Sequence, residues 1–158
     1  MTQEKKARPI LVPVDFSSYS EAALLCAADL ADMIGEPLIV LHVVHDPGDA
    51  PGYYVVKGRK KQLHRLEDVA ADMLREFIEG VKKKNPDNKT LKNAKTELVT
   101  GLPVNRILEV AEKQYARMIV MGSQGRTGLS HVLLGSKAEQ VVHLSPIPVT
   151  IVKNKHKK

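Results

Sequence analysis

The sequence contains a single cysteine and no tryptophan, and each scarcity excludes something. With Cys26 alone, neither an internal disulfide nor a multi-cysteine metal site can form. Cys26 lies among Ala and Leu residues, which reads as a small apolar side chain in the core rather than a reactive thiol. Aromatics are few and scattered (Phe16, Tyr19, Tyr53, Tyr54, Phe77, Tyr115), so the stacking platforms of a single-strand nucleic-acid groove are missing. No apolar run approaches the ~18 residues of a membrane span. Residues 1–9 are polar and basic and lack the apolar core of a secretory signal. A cytoplasmic protein is the expectation.

Hydrophobic residues make up 43% of 158 positions, enough to bury a core in one domain, expected over residues 1–153 with 154–158 as a basic tail. The formal net charge of +6 is unevenly spread. Four lysines and no acid fall in residues 153–158, and further clusters lie at 57–61 and 82–84. They sit at a terminus or near expected helix ends, and solvated surface charge explains them better than a nucleic-acid groove. Beyond the lysine tail there is no repeat and no low-complexity tract.

Hydrophobic patterning predicts strands alternating with helices. Ile10–Val14 is a short β-branched run suited to a strand buried on both faces, with Pro13 near its end. Ser18-x-x-Glu21 has capping-box spacing and opens an Ala-rich helix to Met33, stopped by Gly35 and Pro37. Leu38–Val44 is a second strand. Residues 45–60, rich in Pro and Gly, read as a long loop, functional or mobile. Apolar residues from Leu63 to Val81 recur at helical spacing, and Asn85-Pro86-Asp87-Asn88 ends that helix. A third strand is expected from Ala94 to Thr100. A helix from about Pro103 to Tyr115 turns Val104, Ile107, Leu108 and Ala111 inward. Met118–Met121 is a fourth strand, a helix begins near Gly135 and Ser136, and Val149–Val152 closes the chain. Such β-α alternation is an α/β fold: a doubly wound parallel sheet with helices on both faces. Its ligands bind beyond the carboxyl ends of the strands. This directs attention to 13–18, 43–49, 101–104 and 122–130.

The last of these carries the chemistry. In Gly122-Ser-Gln-Gly125-Arg-Thr-Gly128, glycines recur every three residues behind a buried strand, and Gly135-Ser136 follows at a helix start. Glycines let backbone N–H groups approach a phosphate without a Cβ in the way, and the helix start adds free amides and a positive dipole end. Arg126 adds a charge and Ser136 a hydroxyl. Neither GxxxxGK[ST] nor GxGxxG is present, so the loop is no Walker A or dinucleotide fingerprint. A glycine turn needed only for packing remains the alternative.

The spacing G-x2-G-x9-G-[ST], filled by Gly122, Gly125, Gly135 and Ser136, resembles the nucleotide-binding signature of the ATP-binding branch of the universal stress protein family. Ile10–Ser17, Leu41-His-Val43, Ile119–Gly125 and Pro148–Lys153 resemble that family's first, second, fourth and fifth strands, in the right order. The resemblance spans about residues 8–153. It implies a five-stranded sheet of order 3-2-1-4-5 and a cleft between the first and fourth strands. It also implies ATP as ligand and a homodimer through the edge strand Val149–Val152, which the exposed apolar edge itself favours; magnesium, which needs few protein ligands, is expected through the phosphates. Pro13 and Val43 match positions flanking the adenine, Val43 through its backbone. Asp15 matches the acidic residue at the ribose, and capping of the following helix is its other reading. Gly122, Gly125, Gly135 and Ser136 match the phosphate cradle, with Ser123, Arg126, Thr127, Gly128 and Lys137 around them. Val14 stands where the family often has Thr, which removes one polar contact.

His42 and His45 lie near this cleft but have no metal-ligand spacing, and no catalytic residue is assigned. The function expected is an ATP-dependent switch or adaptor in stress response. A slow ATPase or autophosphorylating protein, with Ser123, Thr127 or Ser130 as acceptor, and a nucleotide-free dimeric module are the alternatives.

Overall fold

The computed structural model describes residues 4–45, 66–126 and 134–154. The long loop expected at 45–60, apart from His45, lies outside them, as do Thr127, Gly128 and Ser130. Five parallel strands form one sheet: β1 (Ile10–Pro13), β2 (Leu38–Val44), β3 (Lys95–Thr100), β4 (Met118–Gly122) and β5 (Val149–Val152), in the order β3-β2-β1-β4-β5. The connecting helices are α1 (Ser18–Ile34), α2 (Leu66–Lys84), α3 (Lys89–Lys92), α4 (Pro103–Lys113) and α5 (Ser136–Leu144).

The period-2 geometry of a strand divides its side chains between two cores. Ile10 and Val12 of β1 and Leu38 and Val40 of β2 pack with Ala23, Leu24, Ala27 and Ala28 of α1 and Leu74 and Ile78 of α2. Leu11, Ile39 and Leu41 point the other way, onto Val104, Ile107 and Val110 of α4 and Val141 of α5. Every residue of β2 is buried, which is why the run is apolar but for His42. β3, at the edge, is half-buried only at Glu97, Leu98 and Val99 and exposed at its other positions.

Where strand order reverses, between β1 and β4, registered pairing covers only Ile10–Met118 and Leu11–Ile119, against four pairs between β1 and β2. Beyond Leu11 the two strands are no longer paired, and the candidate crevice lies at that parting.

Four sequence expectations need correction. Ser17, not Ser18, caps α1: its hydroxyl accepts from the Ser20 amide at 3.2 Å, and its carbonyl accepts from the Glu21 amide. Cys26 is exposed, because the buried stripe of α1 runs through Ala23, Leu24, Ala27, Ala28 and Ala31 and leaves position 26 outside. In α4 the sequence reading omitted Val110, which is buried with Val104, Ile107 and Ala111, while Leu108 packs half-buried against the same core. The one-turn helix α3 was not foreseen. Asn88 caps it by accepting from the Leu91 amide at 2.8 Å, so that Leu91 plugs the core fully buried.

Candidate functional site

Asp15 follows β1 directly and stands at the centre of the crevice. Its Oδ1 accepts from the Ser17 hydroxyl at 2.5 Å and the Ser17 amide at 3.1 Å. Its Oδ2 accepts from the Arg126 amide at 2.9 Å, across 111 positions of sequence. One carboxylate thus organises the entry to α1 and ties that turn to the loop behind β4. The capping reading of Asp15 is realised indirectly, through Ser17, and it coexists with a position facing the glycine loop.

The glycines of the loop differ in what they are for. A Cβ on Gly122 would lie 2.8 Å from the backbone carbonyl of Tyr19, so this glycine is demanded by the close approach of α1 to β4. A Cβ on Gly125 would lie 3.1 Å from Asp15 Oδ2, inside the crevice. Gly135 packs on the backbone of Ser123, Gln124 and Gly125, and its amide donates to the Ser123 carbonyl at 2.7 Å. Asp15, Gly125 and Gly135 are therefore brought together in a chain of contacts. Gly135 is also the N-cap of α5 and offers no side chain to its first turn, leaving the amides of Ser136 and Lys137 to be satisfied from outside the helix. Ser136, Lys137 and Arg126 are exposed.

Val14 and Val43 are buried in opposite cores, and Pro13 is half-buried at the end of β1. The Val14 amide donates to Leu41 and its carbonyl accepts from His42. Ser123 is buried and its amide donates to Val152, so it is ill placed to receive a phosphoryl group.

Three residues beside the crevice were not assigned roles from sequence. His42 is 1% exposed, and since a carbonyl can only accept, its Nδ1 carries the proton donated to Val14 at 2.7 Å. Burial pushes its pKa down to about 4, against the pull of the Val14 bond; His45 and Lys137 lower it further and Asp15 raises it. Phe16 adopts a left-handed backbone (φ 69°), an unusual state for an aromatic residue, and stacks on His42 at 4.3 Å and edge-on to Phe77 at 5.8 Å. Ser17 is the third. A histidine inside the otherwise apolar run Leu38–Val44 was the one visible signal for this cluster.

Comparison with known proteins matches residues 6–153 to the sequence model of the Universal stress protein family. The chain is 32% identical over 158 residues to the universal stress protein MJ0577 of Methanocaldococcus jannaschii, covering 94% of this chain and 96% of that one. The solved structure of MJ0577 superposes with a TM-score of 0.72 at 29% identity, covering 97% and 100% of the two chains. A universal stress protein from Archaeoglobus fulgidus, solved in complex with dAMP, superposes at 0.62 with 26% identity over 94% of this chain and 100% of that one.

Proposed function

The chain belongs to the universal stress protein family, and from that premise we propose that it binds ATP in the crevice between β1 and β4 and works as a nucleotide-dependent switch or adaptor. The observation that carries this reading is the Asp15 carboxylate, held against the amide of Arg126 in the very loop whose glycines approach it. Complexes of a relative with dAMP support an adenine nucleotide as the ligand class.

In this reading Asp15 accepts from ribose hydroxyls, as carboxylates do in other α/β nucleotide sites. The backbone at Gly125 and Gly135 and the free amides of Ser136 and Lys137 receive the phosphates, with the positive end of α5 behind them. Arg126 and Lys137 supply charge, Thr127 and Gly128 belong to the same loop, and Pro13, Val14 and Val43 bound the base pocket through backbone. Magnesium comes with the nucleotide, held by phosphate oxygens, since that ion needs few protein ligands. The switch lies at Asp15. A ribose hydroxyl competing for Oδ2 loosens the bond to Arg126, so occupancy changes how the loop is tied to α1. β5 is the exposed apolar edge of the sheet, half-buried along its length, and we assign it to a homodimer contact.

Protein denatured straight after purification should release ATP or ADP in stoichiometric amount. A sample free of nucleotide that also fails to take up added ATP would return the glycines to packing alone. Phosphate release that vanishes in Asp15→Ala would instead favour the slow-ATPase alternative.

A further inference from the structure

The opposite end of the sheet holds a second concave site. α1 and α4 both end there in the same capping motif. After α1, Gly35 takes the left-handed position (φ 68°), with the Glu36 amide donating to Ala31 and the Gly35 amide to Asp32. After α4, the Ala116 amide donates to Ala111 and the Tyr115 amide to Glu112, and the left-handed residue is Tyr115 (φ 51°). A tyrosine at this position is strained where glycine or asparagine is not. Its ring is 61% exposed, so burial does not offset the strain.

What the ring does is form a wall. It borders a groove of about 370 Å3 together with Lys6, Lys95, Lys113, Asn93 and Leu38. The Lys6 ammonium lies 3.9 Å from the ring centroid. Glu97 accepts from Lys95 at 3.2 Å and from Gln114 at 2.6 Å, leaving an excess of positive charge around the groove. The nearby Glu36 is already engaged by the Arg8 amide and the Arg117 guanidinium, which hold its carboxyl below the usual range. Volume in the range of small-molecule sites, an apolar wall, an aromatic ring that already attracts a cation and three lysines are complementary to one ligand class.

We propose that this groove, at the amino-terminal end of the sheet, binds a small aromatic anion, its ring stacked on Tyr115 in place of the Lys6 ammonium and its charged group held by the displaced Lys6 with Lys113 and Lys95. β2 separates it from the crevice by its full length, about 20 Å, so both sites can be filled at once.

The test is amide chemical-shift mapping of the full-length protein titrated with 2-naphthoate in excess ATP. The map locates the probe whether or not ATP binds. Expected are shifts at Asn93, Lys95 and 113–116, roughly tenfold weaker binding of the neutral 2-naphthamide, and a similar loss in Tyr115→Asn. Because asparagine tolerates the left-handed position, the unfolding midpoint of that variant should not fall. No shifts at those amides with millimolar probe would overturn the proposal. So would equal binding of the amide, unchanged affinity in Tyr115→Asn, or broadening of the same amides with protein concentration alone, which would mark the groove as a contact between copies.

Discussion

At Gly122 and Gly125 one residue type answers two demands, and substitution separates them. Gly122→Ala drives a Cβ into the Tyr19 backbone, which cannot give locally, and should cost about 1–3 kcal/mol in denaturant unfolding. Gly125→Val presses on the Asp15 carboxylate instead. It should weaken ATP binding at least about tenfold while shifting stability by less than about 1 kcal/mol. His42 gives a pH signature. Its folded pKa, near 4, lies below the ordinary 6.5, so the unfolded chain takes up a proton first as pH falls. Stability should drop through that window by roughly 3 kcal/mol, and His42→Gln should flatten the slope. The glycine loop stood out in the sequence by its spacing and Asp15 through the family resemblance, and the structure brings the two into contact. Phe16 and Ser17 were not, since their roles depend on a left-handed turn that only the meeting of β1 with the loop behind β4 defines. Cys26 was misread because neighbouring alanines in a helix do not share one face.

Helix ends are where local rules met tertiary competition. Ser17 and Ser18 both suit an N-cap, and the tie is broken by Asp15, which orients the Ser17 hydroxyl. Ser17→Ala should therefore cost about 1 kcal/mol in unfolding and also weaken ATP binding, whereas a residue acting as a cap alone would change stability only. α4 presents the converse case. Its N-cap is Leu102, 70% exposed, with no side-chain bond to the first turn. Leu102→Ser should raise the thermal midpoint by about 2–4 °C. The four longer helices were readable because their patterning extends over nine residues or more, and the strands, some of only four, because apolar and β-branched runs stand out between turn residues. α3, with four residues, carries too little pattern, and its formation rests on the Asn88 cap and the burial of Leu91.

Taken whole, the molecule is a doubly wound sheet whose candidate nucleotide site lies where β1 and β4 part. Four of the lysines behind the net charge of +6 lie in residues 153–158, and the proposed nucleotide site would draw on backbone amides with Arg126 and Lys137 beside them. Strand order was legible only through family resemblance, since hydrophobic patterning fixes which segments are strands but not their neighbours. Among the described residues no helix is long and apolar enough to cross a membrane. The β5 edge, with Val142 and Leu144 exposed on the preceding helix, should give a two-chain mass by light scattering at micromolar concentration; a one-chain mass would remove the dimer. The most direct test of nucleotide binding is calorimetry of ATP into nucleotide-free protein. Micromolar binding of one ATP per chain, lost in folded Gly125→Val, is the predicted result. Absence of binding up to high micromolar ATP in the folded wild-type protein would contradict it.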